Sequence, residues 1–167
     1  MKSTGVVRRI DELGRIVLPK EMRKMLKIKS GDNLEIFMSD GDIVLSKYKI
    51  FDDKKDLMDL LVNSMLTYTR KNVIITDTSR IVAGSKFLLD KEISEDLDTL
   101  MFSRSSKIGK KEIKITDNIL SKHYCYSSIV SNSDVCGLVL VYDEEIGESD
   151  FDLCKFISKF LSKYLED

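Results

Sequence analysis

Residues 8–24 read RRIDELGRIVLPKEMRK. Six of these positions are Arg or Lys, although the 167-residue chain carries a formal net charge of only −1. The segment also holds Gly14 and Pro19, the latter the only proline in the chain. GVVRR at 5–9 and RIVL at 15–18 are short β-rich runs joined by IDELG. Asp11 favours the start of a turn, and Gly14 supplies the positive φ that a tight reversal commonly needs. Pro19 suits the first turn of a helix, where its missing N–H costs nothing, and Glu21 sits where the helix dipole favours an anion. Met22, Met25 and Leu26 fall at helical spacing and are expected to face a core, with Arg23 and Lys24 on other faces. KIKSGD ends this helix, with Gly31 as its turn residue.

A second hairpin follows. NLEIFMS leads into an Asp40–Gly41 turn and then DIVLSK, with Leu34, Ile36 and Met38 alternating with Glu35 and Phe37. Asp-Gly between apolar runs is a strong hairpin signal. The pattern β–β–α–β–β fills about fifty residues, close to the smallest free-standing core. Its short strands leave unpaired edges. Two interleaved copies would cover those edges, so an obligate dimer is expected. Charge is unevenly spread as well. Residues 1–29 hold nine Lys/Arg against three Asp/Glu, and residues 51–167 hold sixteen against twenty-one. A basic head above an acidic body points to a polyanionic partner for the head.

MKSTGVVRRIDELGRIVLPKEMRKML, with SGDNLEIF and IVLSKY, resembles the AbrB-type DNA-binding module of bacterial transition-state regulators. The likeness covers nearly all of residues 1–50. It implies an N-terminal, β-rich swapped-hairpin dimer that binds double-stranded DNA through arginines of the first hairpin and the short helix. By that resemblance Arg8, Arg15 and Arg23 are the DNA-contacting arginines, and Arg9 is a supporting basic contact. Lys24 stands where the family often has Arg. Lysine lacks the planar fork for bidentate base contact, so it is assigned to phosphate. Gly14 and Pro19 are placement residues that hold the cations rather than contacts themselves.

FDDKKD at 51–56 marks a polar junction, and the domains are read as 1–50, a connecting helix over 51–70, and 71–167. The connecting helix has a broad apolar face: Leu57, Leu61, Met65 and Tyr68, with Met58, Leu60, Val62 and Leu66 beside them. Intradomain core and an intersubunit helix-bundle role both fit it. NVIITDTSRIVAGS reads as strand, turn, strand. Residues 90–103 read as a helix with Ile93, Leu97, Leu100 and Met101 inward. SRSSKIGKKEIKI reads as a basic loop running into a strand. HYCYSSIVSNSDVCGLVLVYDEE gives two strands around an SNSD turn, the second apolar enough to be central. GESDFDLCKFISKFLSKYLED closes as a helix, with Ser149 and Asp152 spaced as a capping box and Leu153, Ile157, Phe160, Leu161 and Tyr164 as its buried stripe.

This order, with the segments VIITD, SIVSN and GLVLVY, resembles an α+β GAF-like domain with an antiparallel sheet. Together with the head, the full layout resembles the stage V sporulation protein T family of sporulation regulators. That resemblance implies a homotetramer in the cytoplasm of a forespore, regulating late genes, with a possible small-molecule ligand in the GAF-like domain. The candidate ligand walls, AGSKFLL and HYCY, carry no polar set that names a ligand, and no cofactor is implied.

Enzymatic chemistry finds little support. The sole histidine, His123, lies in a strand near Cys125 with no third partner. Cys125, Cys136 and Cys154 lack CxxC spacing and make no zinc site. No phosphate-binding glycine loop occurs, and no apolar run approaches the roughly 18–20 residues that cross a bilayer. The basic loop Arg104, Lys107, Lys110 and Lys111 is either a second anion site or a solvated loop. An antitoxin-like or scaffold protein binding a protein partner through the same fold is the alternative reading.

Overall fold

The computed structural model describes residues 5–26 and 28–166, and expectations that touch residues 1–4, 27 and 167 lie outside them. The chain divides into two compact units, residues 1–48 and 49–167.

In the first unit, the Asp11–Gly14 reversal forms as expected. Gly14 has φ +76°, its N–H donates to the Asp11 carbonyl at 3.0 Å, and the Asp11 N–H donates to the Arg15 carbonyl at 3.1 Å. The flanking runs 5–9 and 15–18 form no strand ladder within the chain, which corrects the expectation of a first paired hairpin. A strand exists only where its backbone groups find a partner, and the neighbouring hairpin pairs only with itself. Helix α1 spans Lys20–Met25, with Pro19 (φ −57°) capping it rather than occupying its first turn. The Arg23 N–H donates to the Pro19 carbonyl at 3.0 Å.

Strands β1 (Leu34–Ser39) and β2 (Asp42–Lys47) pair antiparallel, with Ser39 opposite Asp42. Asp40 (φ +50°) and Gly41 (φ +89°) both have positive φ, the requirement of the tightest hairpin turn. Asp32 ties the preceding turn to this hairpin. It accepts from the Lys29 N–H at 2.8 Å, and its carboxylate, 3% exposed, pairs with Lys47 Nζ at 3.1 Å.

The apolar residues of this unit do not find a core within it. Met22, Met25 and Leu26, expected to face inward, are exposed, and α1 buries no residue. Cross-strand register puts Ile36 opposite Leu45 and Met38 opposite Ile43. Those four share one hairpin face, on which Ile36, Met38 and Ile43 are each 67% exposed. A unit of about fifty residues is too small to bury them itself.

The second unit is built on a five-stranded antiparallel sheet, ordered β4-β3-β9-β8-β5. Its strands are β3 (Asn72–Thr76), β4 (Ile81–Ala83), β5 (Ser106–Gly109), β8 (His123–Ser131) and β9 (Asp134–Asp143). β9 is central, as its apolar run implied. Side chains alternate across it. Val139 and Val141 join Val73, Ile75, Cys125 and Ile129 on one face, against α2 (Lys55–Thr69) and α4 (Glu148–Tyr164). Leu138, Leu140 and Tyr142 join Ile74, Tyr124 and Tyr126 on the other, against α3 (Glu95–Phe102) and the small hairpin β6 (Ile113–Thr116)–β7 (Ile119–Ser121).

Several sequence expectations are corrected here. The third helix starts at Glu95, not residue 90, because Ser94 caps it by accepting from the Leu97 N–H at 3.1 Å and Glu92 bridges to Arg80. The basic loop contains a strand, β5, at the sheet edge. The α4 cap lies upstream of Ser149: Asp150 Oδ2 accepts from the Gly147 N–H at 2.8 Å and from Lys71 Nζ at 2.5 Å. Asp152 instead pairs with Lys155. The buried side of α4 runs through Cys154, Ile157, Ser158 and Leu161, while Phe160 and Tyr164 stack on each other at the surface. On α2, Met58, Val62 and Met65 are buried, and Leu60 and Tyr68 are exposed.

Candidate nucleic-acid interface

The N-terminal cations are displayed by two devices, the Asp11–Gly14 turn and α1. Arg8 and Arg9 precede the turn, Arg15 leaves it, and Arg23 and Lys24 occupy the last turn of α1; all five are exposed. Lys20, at the start of α1, is exposed as well. Gly14 and Pro19 act as spacers. Gly14 holds a φ that a side chain would strain. Pro19 is buried beneath the start of α1.

Asp11 organises the turn. Its Oδ1 accepts from the N–H groups of Leu13 (3.0 Å) and Arg15 (2.8 Å), and its Oδ2 accepts from Arg15 Nε at 2.7 Å. These bonds, the Arg15 backbone N–H first and its side chain next, hold the Asp11 carboxyl below its ordinary value of 3.8. The ion pair engages Arg15 through Nε, and the Arg15 side chain remains 72% exposed. A guanidinium fixed at Nε presents its two Nη groups as a fork, the geometry that matches a phosphate or the major-groove edge of guanine. Asp11 was legible in the sequence only as a turn former. The signal for its second role is the four-residue spacing to Arg15 across a glycine turn.

Charge in the second unit is arranged differently. Arg80 is ringed by carboxylates: Nε lies 3.3 Å from Asp77 Oδ2, and its two Nη groups pair with Asp90 and Asp52. Burial opposes its charge, but the three carboxylates prevail and raise its pKa. The cluster borders a hollow of about 140 Å³ with Phe51, Lys55, Val82 and Leu89. With three carboxylates to one guanidinium the cluster is net negative, the opposite of the basic head. His123 is exposed, and Cys125, Cys136 and Cys154 are free and buried. The Cys154 Sγ–H donates to the Val139 carbonyl at 3.3 Å, and burial first, then Cys125, push its pKa up. A thiol so placed is a poor nucleophile. The walls AGSKFLL and HYCY pack together: Leu88, Tyr124 and Tyr126 belong to one buried cluster. No helix among the described residues is long and apolar enough to cross a membrane.

Residues 7–53 match the family of antidote-toxin recognition MazE, bacterial antitoxin. Residues 54–166 match the family of stage V sporulation protein T C-terminal, transcription factor. Stage V sporulation protein T of Bacillus subtilis (strain 168) is 35% identical over 177 residues, covering 99% of this chain and 99% of its own. Transition state regulatory protein AbrB of the same organism is 39% identical over 97 residues, covering 58% of this chain and 85% of its own. Among solved structures, the GAF domain of Acinetobacter phosphoenolpyruvate-protein phosphotransferase is 10% identical over 72% of this chain and 84% of its own, with a TM-score of 0.56. That likeness concerns the fold alone, and it agrees with the α+β GAF-like class read from the sequence.

Proposed function

The chain belongs to the stage V sporulation protein T family of transcription factors, and from that premise we propose that it is a sporulation transcription regulator whose basic head binds double-stranded DNA. The observation that carries this reading is the exposure of Arg8, Arg9, Arg15, Arg23 and Lys24 around one turn and one short helix. Arg8, Arg15 and Arg23 supply forks for phosphate and base edges. Arg9 and Lys24 neutralise phosphate. Contacts to phosphate fix position while the few base contacts discriminate, so sequence-dependent DNA bending contributes to operator choice.

The head acts as a dimer. The runs 5–9 and 15–18 find their ladder partners in a second copy, in a swapped arrangement, and the apolar hairpin faces are covered in the same step. Dimerisation doubles the cationic array. The unit over 49–167 extends the assembly to a tetramer and offers a place for a small-molecule signal. The protein works in the cytoplasm, in the forespore of an endospore-forming bacterium, on late sporulation genes. The likeness of residues 7–53 to an antitoxin concerns the head module; a protein partner in place of DNA is the reading it favours.

Arg15→Ala tests the site. The expected result is loss of duplex binding by fluorescence anisotropy, with circular dichroism and assembly mass unchanged. Unchanged affinity refutes the assignment.

A further inference from the structure

We infer that the outer edge of the C-terminal sheet is a second phosphate-contacting surface for duplex DNA, formed by Arg104, Lys107, Lys110 and Lys111, in addition to the head. The inference rests on the DNA-binding reading above.

β5 is the last strand of its sheet and pairs only with β8, so its other edge is open. The four cations run from the turn before β5, along it, and into the turn after it, and all four are exposed. At about 3.3 Å per residue the four-residue strand spans roughly 13 Å, with the other three cations in the turns at its ends. B-DNA places a phosphate every ~3.4 Å along each strand, so the row faces several. Residues 104–111 contain no Asp or Glu, within a region where acids outnumber bases. Many other cations of this unit are paired: Lys71 with Asp150, Lys114 with Asp117, Lys122 with Glu112, Lys155 with Asp152, and Arg80 with three carboxylates. Among the described residues, Arg104, Lys107, Lys110 and Lys111 form no ion pair.

The edge is also firmly held. Ser105 Oγ lies 3.0 Å from the Tyr126 hydroxyl and 2.7 Å from Ser103 Oγ, and the Ser128 N–H donates to the Ser105 carbonyl at 3.2 Å. Arg104, between Ser103 and Ser105, sits at φ +51°. Gly109 lies under the Tyr124 ring, which leaves no room for a Cβ. Lysine on an edge strand commonly guards against strand addition. One lysine serves that purpose on a four-residue strand, and it does not account for Arg104, Lys110 and Lys111 in turns that have no ladder to protect.

The test uses the full chain with Lys107→Gln, Lys110→Gln and Lys111→Gln together, titrated with salt on a labelled duplex beside wild type and Arg15→Ala. The expected result is a log–log slope shallower by about 0.9 per lost contact, or about 2.7 per protomer, and more than a hundredfold weaker binding near ~0.1 M salt. The corresponding triple Lys→Arg variant is expected to keep the wild-type slope. An unchanged slope in the Gln variant, with Arg15→Ala still defective, overturns the second surface and leaves the head reading standing. Absence of binding by wild type overturns both. A changed assembly mass in the Gln variant, or wild-type binding to phosphatidylserine vesicles that the variant loses, assigns the edge to another copy or to a lipid surface and overturns the inference.

Discussion

Replacing Ile43 with Lys separates the fold of one protomer from the dimer proposed for the head. Ile36, Met38 and Ile43 lie on one face of the β1–β2 hairpin, each 67% exposed in a single chain. Fully burying such a side chain contributes about 1.5–3 kcal/mol, so covering the remaining two-thirds contributes about 1–2 kcal/mol each. Three residues on two copies supply about 6–12 kcal/mol before association and ordering costs are subtracted. Within one protomer, Ile43→Lys changes an exposed strand position and is expected to shift stability by no more than about 0.5 kcal/mol. Within the dimer it forfeits about 1–2 kcal/mol per copy, or 2–4 kcal/mol in all, and adds a charge that resists burial. At about 1.4 kcal/mol per decade, the dissociation constant of the head dimer rises roughly 30- to 700-fold. Sedimentation equilibrium over a dilution series reads this directly. A variant that self-associates as tightly as wild type refutes the assignment of this face to a second copy.

Other outcomes follow from individual residues. At Gly137→Ala the new Cβ would lie 1.9 Å from the Thr76 carbonyl oxygen, between two central strands that cannot part. The expected cost is about 3 kcal/mol or more, seen as a melting temperature lower by roughly 10 °C or more. Asp11 has its folded pKa depressed below 3.8, so its contribution to the turn is complete above that value and is lost as pH falls through the lower folded value. Asp11→Asn is expected to weaken DNA binding near neutral pH and to flatten the acid limb of turn stability, checked by pH-dependent NMR of the Arg15 amide. The buried Cys125, Cys136 and Cys154 are expected to stay unmodified by an alkylating reagent in the native protein and to react on unfolding, read by mass spectrometry; rapid native labelling of Cys154 contradicts its placement.

Most of what the sequence discloses is local. Asp40–Gly41 announced a hairpin because few residues take two successive positive φ values, and Gly14 announced its turn because a single positive φ favours glycine. VCGLVLVY announced a central strand because only a strand buried on both faces is apolar without alternation. The strand β5 was hidden in SRSSKIGKK, where basic edge residues mask a pairing that Tyr124 and Ser127 of β8 complete from distant sequence. The α4 cap was hidden because Asp150 is chosen by Lys71, 79 residues away, over the better-looking Ser149. Met22, Met25 and Leu26 have the spacing of a core face, yet a single chain leaves them exposed; periodicity marks an apolar face without saying which molecule covers it. The cations were legible as a set, whereas the Nε-anchored posture of Arg15 needed the three-dimensional turn.

Whether the exposed N-terminal cations bind DNA as a doubled array is decided by a salt titration of full-length protein on duplex DNA, with assembly mass measured in the same buffers by light scattering. If Arg8, Arg15, Arg23 and Lys24 each neutralise one phosphate in both copies of a dimer, the log–log slope is about −7, from roughly −0.9 per phosphate, and any contact from the β5 edge steepens it. A steep slope from a dimeric or tetrameric species is the predicted result. A flat slope, or no binding at low salt by an intact oligomer, contradicts it and turns the array toward a protein partner.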